Sequence, residues 1–134
     1  MIEYYHADSA YIPTNSSTRK DSLLKSGIKF ASTAIPVISL DYFCSENHVD
    51  HVDLIKMDTE GTEIDVLRGA QQLLERDRPM IVCEVLEDVG DPRLIEEMLR
   101  PLGYQFYRLE PSGPIRQEHI QTHAKWWNFL FKAT

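Results

Sequence analysis

Glycine is scarce in this chain of 134 residues: there are six, at positions 27, 61, 69, 90, 103 and 113, and nowhere do they approach G-x-G spacing. A glycine-rich turn, which lets backbone come close to a nucleotide cofactor, is therefore missing from the sequence. Cysteine is rarer still. Cys44 and Cys83 stand far apart with no C-x-x-C spacing, which excludes a disulfide framework and a zinc knuckle and leaves two reduced thiols, Cys83 in a strand core. No apolar run approaches the ~20 residues that cross a bilayer. The polar start Met1-Ile2-Glu3-Tyr4-Tyr5-His6 also lacks the basic and apolar regions of a signal peptide, so a cytoplasmic protein with no membrane partner is expected. Positive charge is the minority sign: 14 Lys and Arg against 21 Asp and Glu give a formal charge of −7. With the basic residues unclustered, a phosphate backbone is repelled and nucleic acid is excluded as a partner.

What remains is ordinary for a folded chain, with 43% hydrophobic and 26% charged residues. The length fits one domain with a real core, yet is short for a complete nucleotide-dependent α/β enzyme. Residues 1–34 read as an irregular amino-terminal segment: 8–20 is rich in Ser, Thr, Asn and Pro, and 21–25 offers at most a helical turn. Residues 35–40 form a short extended stretch whose Pro36 suits an edge or connecting strand, and a short helix is expected from Asp41 to about His48 with Asp41 as N-cap.

From residue 52 the pattern alternates. Val52 to Asp58 reads as a strand, and Glu60 to about Arg76 as one helix with Ile64, Leu67, Ala70 and Leu74 on a single stripe. Met80 to Val85 is a second apolar strand, a helix starts at Pro92 and stops near Gly103, and Tyr104 to Leu109 is a third strand. Residues 110–114 read as a turn and 125–132 as a last, aromatic strand. Alternating strands and helices imply parallel pairing, while the final two strands can pair antiparallel.

Val52-Asp53-Leu54-Ile55-Lys56-Met57-Asp58-Thr59-Glu60-Gly61-Thr62-Glu63 carries the densest chemistry. An apolar strand runs into carboxylates that open a helix, and Asp58 falls at the strand's carboxyl end, where open α/β sheets place ligand-binding groups. There it can orient or deprotonate a substrate hydroxyl or help hold a metal; the plainer alternatives are a helix N-cap or a link to Lys56. Glu60 and Glu63 can join it or simply answer the helix dipole. Lys56 must reach solvent or pair with a carboxylate, and Glu84 can line the same crevice because adjacent parallel strands end on one side. His48-x-x-His51 and His119-x-x-x-His123 lack the further ligands of a zinc site, and no metal is assigned. Trp126, Trp127, Phe129 and Phe131 read as packing before they read as a ligand platform.

The run D-x-x-K-x-D-x-E-G-x-E resembles the signature of the FkbM-type methyltransferases, which use S-adenosylmethionine to methylate mostly hydroxyl groups. Val37-Ile38-Ser39-Leu40-Asp41, Val66-Leu67-Arg68-Gly69-Ala70, Arg78-Pro79 with the strand ending in Glu84, Gly103-Tyr104 and Trp127-Asn128-Phe129-Leu130 resemble further blocks of that family in the same order. The resemblance covers roughly residues 35–134. It implies an α/β fold with a partial Rossmann-like methyltransferase sheet, whose strands correspond to the second half and whose last strand inserts antiparallel.

The resemblance further implies S-adenosylmethionine as cofactor and a small-molecule or sugar hydroxyl as acceptor. Asp58, Glu60 and Glu84 are the expected catalytic residues, and Lys56 and Glu63 the substrate-binding ones. Because the glycine-rich element is missing, the chain looks like the carboxyl-terminal part of such an enzyme, with no cofactor-binding residue to assign. The other class of reading is a non-catalytic or complementing module that meets a methyltransferase half, or a second copy of itself, through an open sheet edge at residues 54–57. Ile2-Glu3-Tyr4-Tyr5, folding back as a surrogate strand, would cover that edge instead.

Overall fold

The computed structural model describes residues 1–7, 30–87 and 91–134, and side-chain surroundings outside 4–30. The polar stretch 8–20 and the helical turn expected at 21–25 lie outside the described residues. The chain divides into two compact units, Met1–Val37 and Ile38–Thr134.

In the first unit, β1 (Ile2–Ala7) pairs antiparallel with β2 (Phe30–Ile35), Ile2 opposite Ile35 and Ala7 opposite Phe30. The segment expected to be irregular thus carries strands at both of its described ends. The extended stretch read at 35–40 instead ends at Ile35, because Pro36 has no N–H to continue a ladder. The segment expected to fold back as a surrogate strand belongs to the first unit, where it pairs with β2.

The second unit is α/β with a mixed five-stranded sheet in the order β3-β4-β7-β5-β6. The strands are β3 (Leu54–Met57), β4 (Met80–Glu84), β5 (Tyr104–Glu110), β6 (Gly113–Gln117) and β7 (Asn128–Ala133). β3 and β4 are parallel, as expected from two apolar runs joined by helix. β7 lies antiparallel between β4 and β5, so the last strand is inserted and not added at an edge. β6 was hidden in the sequence by Pro114, which sits on the outermost strand, where a missing N–H is harmless.

The helices are α1 (Leu40–Glu46), α2 (Glu63–Arg68), α3 (Gln71–Asp77) and α4 (Pro92–Leu99). Asp41 is not the cap of its own helix; Ser39 is, its Oγ accepting from the Tyr42 N–H at 3.1 Å. Asp41 instead caps α3, its carboxylate accepting from the N–H groups of Gln72 and Leu73 at 3.1 and 2.9 Å. This explains why the helix expected over 60–76 is two helices. The Gly69 carbonyl accepts from the Asp41 N–H, and a Cβ on Gly69 would stand 3.1 Å from the Ser39 Cβ. The α1 entry therefore packs closely against the α2–α3 junction, where a side chain at residue 69 would crowd Ser39.

Strand alternation sends Met57, Ile81, Cys83, Phe106, Phe129 and Phe131 to one face. They form a single core with Leu67, Leu74, Ile95 and Leu99 of the helices, and Phe106 meets Phe131 edge to face at 5.3 Å. The opposite face carries Leu54, Lys56 and Met80, all exposed, and Val82, Glu84, Asn128 and Leu130, all half-buried. Two further ties fix the unit. The buried Tyr104 hydroxyl donates to the Pro79 carbonyl at 2.8 Å, and burial raises that phenol to about 12. The Glu96 carboxylate, itself buried, joins α4 to Arg100, His119 and the Ile120 N–H.

Candidate active site

β3 is short and ends on the buried Met57, opposite Cys83 of β4. That register brings the next residues, Asp58 and Glu84, side by side at the carboxyl end of the parallel pair. The loop after β3 then turns sharply: Glu60 and Gly61 have φ of 55° and 98°, a left-handed pair that glycine adopts freely and glutamate at a cost. Glu63 holds this turn. Its Oε1 accepts from the Thr59 N–H (3.2 Å), the Thr59 hydroxyl (2.9 Å) and the Gly61 N–H (3.2 Å), and the Thr62 hydroxyl donates to the Thr59 carbonyl.

The consequence is a convergence of Asp58, Glu60 and Glu84, one carboxylate oxygen of each lying within 4.8 Å of the others. Lys56 Nζ stands 3.4 Å from Asp58 Oδ2 and donates to the Met57 carbonyl. Burial, then the Asp58 charge and a hydrogen bond with Asp58, raise the Glu84 carboxyl to about 7; Glu60 adds to the rise and Lys56 opposes it. The physical cause is that a half-buried carboxyl beside other carboxylates gives up its proton less readily than one in water. Cys83 beneath them stays a thiol, raised by burial to about 12, its Sγ donating to the Glu84 carbonyl.

Of the residues singled out in the sequence, Lys56, Asp58, Glu60 and Glu84 come together, while the Glu63 carboxylate is buried and engaged within the loop. Among the described residues, Asp58, Glu60 and Glu84 are the one group of three or more potential metal ligands this close. They are all oxygen donors, suited to a hard divalent cation, but the Lys56 ammonium already supplies positive charge beside Asp58. His51 faces Asp53 and Asp77, and His123 accepts from the Lys125 and Trp126 N–H groups. Sequence reasoning missed Asn128, which stands opposite Glu84. Its signal was a carboxamide opening a mostly apolar strand, but only the insertion of β7 shows which strand it faces.

No curated protein and no solved structure matches the chain. The family model described as the methyltransferase FkbM domain matches residues 2–106, beginning well ahead of the block at residue 35 and taking in Lys56, Asp58, Glu60, Glu63 and Glu84. The chain therefore belongs to the FkbM methyltransferase family.

Proposed function

We propose that this chain forms the acceptor side of an S-adenosylmethionine-dependent O-methyltransferase acting on a hydroxyl of a small molecule or sugar. The observation that carries the reading is the convergence of Asp58, Glu60 and Glu84 at the carboxyl end of the parallel pair, within 4.8 Å of one another and beside Lys56, with Glu84 raised to about 7. A group poised near the working pH is what a base for a hydroxyl needs, since it is free to accept a proton and basic enough to hold it. Asp58 takes a hydrogen bond from the acceptor hydroxyl and holds its oxygen in one direction; Glu84 receives or returns the proton through Asp58. Lys56 pairs with Asp58 at 3.4 Å, and Glu60 closes the third side.

The described residues do not fit the cofactor. Their glycines are single, and the turn after β3 that could approach a nucleotide is lined by carboxylates. No residue is assigned to S-adenosylmethionine and no step is drawn through it; in this reading it rests on other elements, for which a complementing methyltransferase half is one source. The test is methyl transfer from labelled S-adenosylmethionine to a panel of sugars and polyols, with such a half supplied. Asp58→Asn should lower turnover roughly 100-fold while leaving cofactor affinity unchanged. Equal losses in both would point to a folding role and end the proposal.

A second reading, a module that binds a partner through β3, is favoured by one observation. Among the described residues β3 pairs only with β4, and Leu54 and Met80 beside that edge are 53% and 42% exposed. Protection of the 54–57 amides that grows with protein concentration would support a second copy there; fast exchange at every concentration would dismiss it.

A further inference from the structure

Asn128 opens the central strand of the sheet, opposite Glu84, with Leu130 opposite Val82 behind it. Directly paired residues on neighbouring strands project from the same face, their Cβ atoms about 5 Å apart. The Val85 N–H donates to the Trp127 carbonyl at 2.7 Å, which locks the register at this point. Asp58, Glu84 and Asn128 therefore form a row across three adjacent strands, at one end of one face. Phe129 and Phe131 of the same strand are fully buried on the other face, and asparagine is a residue that strands disfavour.

No side-chain hydrogen bond is made by Asn128 among the described residues, although it is half-buried. A carboxamide offers two N–H donors and an acceptor. Its neighbours in the row are carboxyl groups, which mainly accept. Asn128 thus offers permanent N–H donors one strand away from Asp58 and Glu84.

We propose that Asn128 is a specificity-determining residue of the acceptor site, its side-chain N–H groups donating to a second oxygen of the acceptor about one strand spacing, ~5 Å, from the reacting hydroxyl. The acceptor class this selects is an uncharged polyoxygenated compound. An anionic one would meet Asp58, Glu60 and Glu84, with Lys56 beside Asp58 to offset one of them. The inference rests on the acceptor-side reading above, but its test does not depend on turnover.

The experiment is titration of the nitrogen-15-labelled full chain with methyl α-D-glucopyranoside, and separately with the corresponding uronate, following the Asn128 side-chain amide resonances. The neutral glycoside should move those resonances saturably, and the uronate should bind about fivefold more weakly or worse. Asn128→Leu, a substitution that suits an apolar strand, should leave the backbone fingerprint intact and weaken glycoside binding about fivefold, the worth of one hydrogen bond. No saturable shift, equal affinity for the uronate, or undiminished binding by Asn128→Leu would each overturn the proposal. Undiminished glycoside binding by Asn128→Leu together with loss of turnover in Asp58→Asn would refute Asn128 alone. Glycoside binding through Asn128 with turnover unaffected by Asp58→Asn would refute the catalytic reading instead.

Discussion

Removing the Glu63 carboxylate should open the loop that carries Asp58 and Glu60. In Glu63→Ala, the Thr59 N–H, Thr59 hydroxyl and Gly61 N–H lose the acceptor they share at 2.9–3.2 Å. A hydrogen bond to a charged group is worth about 1.5–3 kcal/mol, but these converge on one oxygen, and an opened loop regains water. The loss is therefore about 2–3 kcal/mol and not a sum of separate bonds. For a chain of this size that lowers the melting temperature by roughly 6–10 °C. Glu63→Gln keeps a carbonyl acceptor without the charge and should lose about 1 kcal/mol, a shift of roughly 3–4 °C. Thermal unfolding by circular dichroism reads both, and amide exchange at Thr59 reads the loop itself. As Glu60 moves away, one of the charges that raise Glu84 goes with it, so the Glu84 midpoint should fall below its value of about 7. A Thr59 amide that exchanges no faster in Glu63→Ala than in the wild type refutes the reasoning outright.

Two other perturbations probe the scaffold. Asp41→Ala should destabilise by about 1–2 kcal/mol, the range for losing a helix cap, with Asp41→Asn recovering about half; chemical denaturation measures this, and equal midpoints for all three proteins would disprove the remote cap. Asp77 accepts from Arg76 and the Val52 N–H and faces His51, and the Arg76 hydrogen bond chiefly lowers its carboxyl from 3.8 to about 2. A depressed carboxyl stabilises above its unfolded value and loses that contribution as pH falls through its folded one. The stability gap between wild type and Asp77→Asn should thus be full above about pH 4 and close towards pH 2; a gap independent of pH contradicts the assignment.

The convergence of Asp58 and Glu84 was legible because it needs only two apolar runs, a carboxylate at the end of each and enough helix between them for a parallel return. The α2–α3 break was not, since the group that caps α3 lies 31 residues earlier and nothing local in Gly69-Ala70 announces it. β6 was concealed by Pro114, a residue whose meaning depends on whether its strand is central or outermost. Glu63 reads in sequence as one more first-turn acid; only the folded loop shows that its carboxylate faces inward and that Glu60 is the one left in the cluster. Asn128 escaped for a topological reason, as the partner of a terminal strand is set by where that strand inserts.

The reach of Asp41 to α3 also bears on the order in which the chain assembles. A seven-residue helix is too short to persist alone in water, because its first turn fixes several residues for one hydrogen bond. α3 has no side-chain cap from its own N-cap, Ala70, and waits for a carboxylate brought from 31 residues away. Its formation is thus coupled to the docking of α1, and loop closure must precede the contact that rewards it. The helix that leads into β4, and so to Glu84, becomes a late arrival on the folding pathway, and a lesion at Asp41 should chiefly speed unfolding and leave the folding rate nearly unchanged.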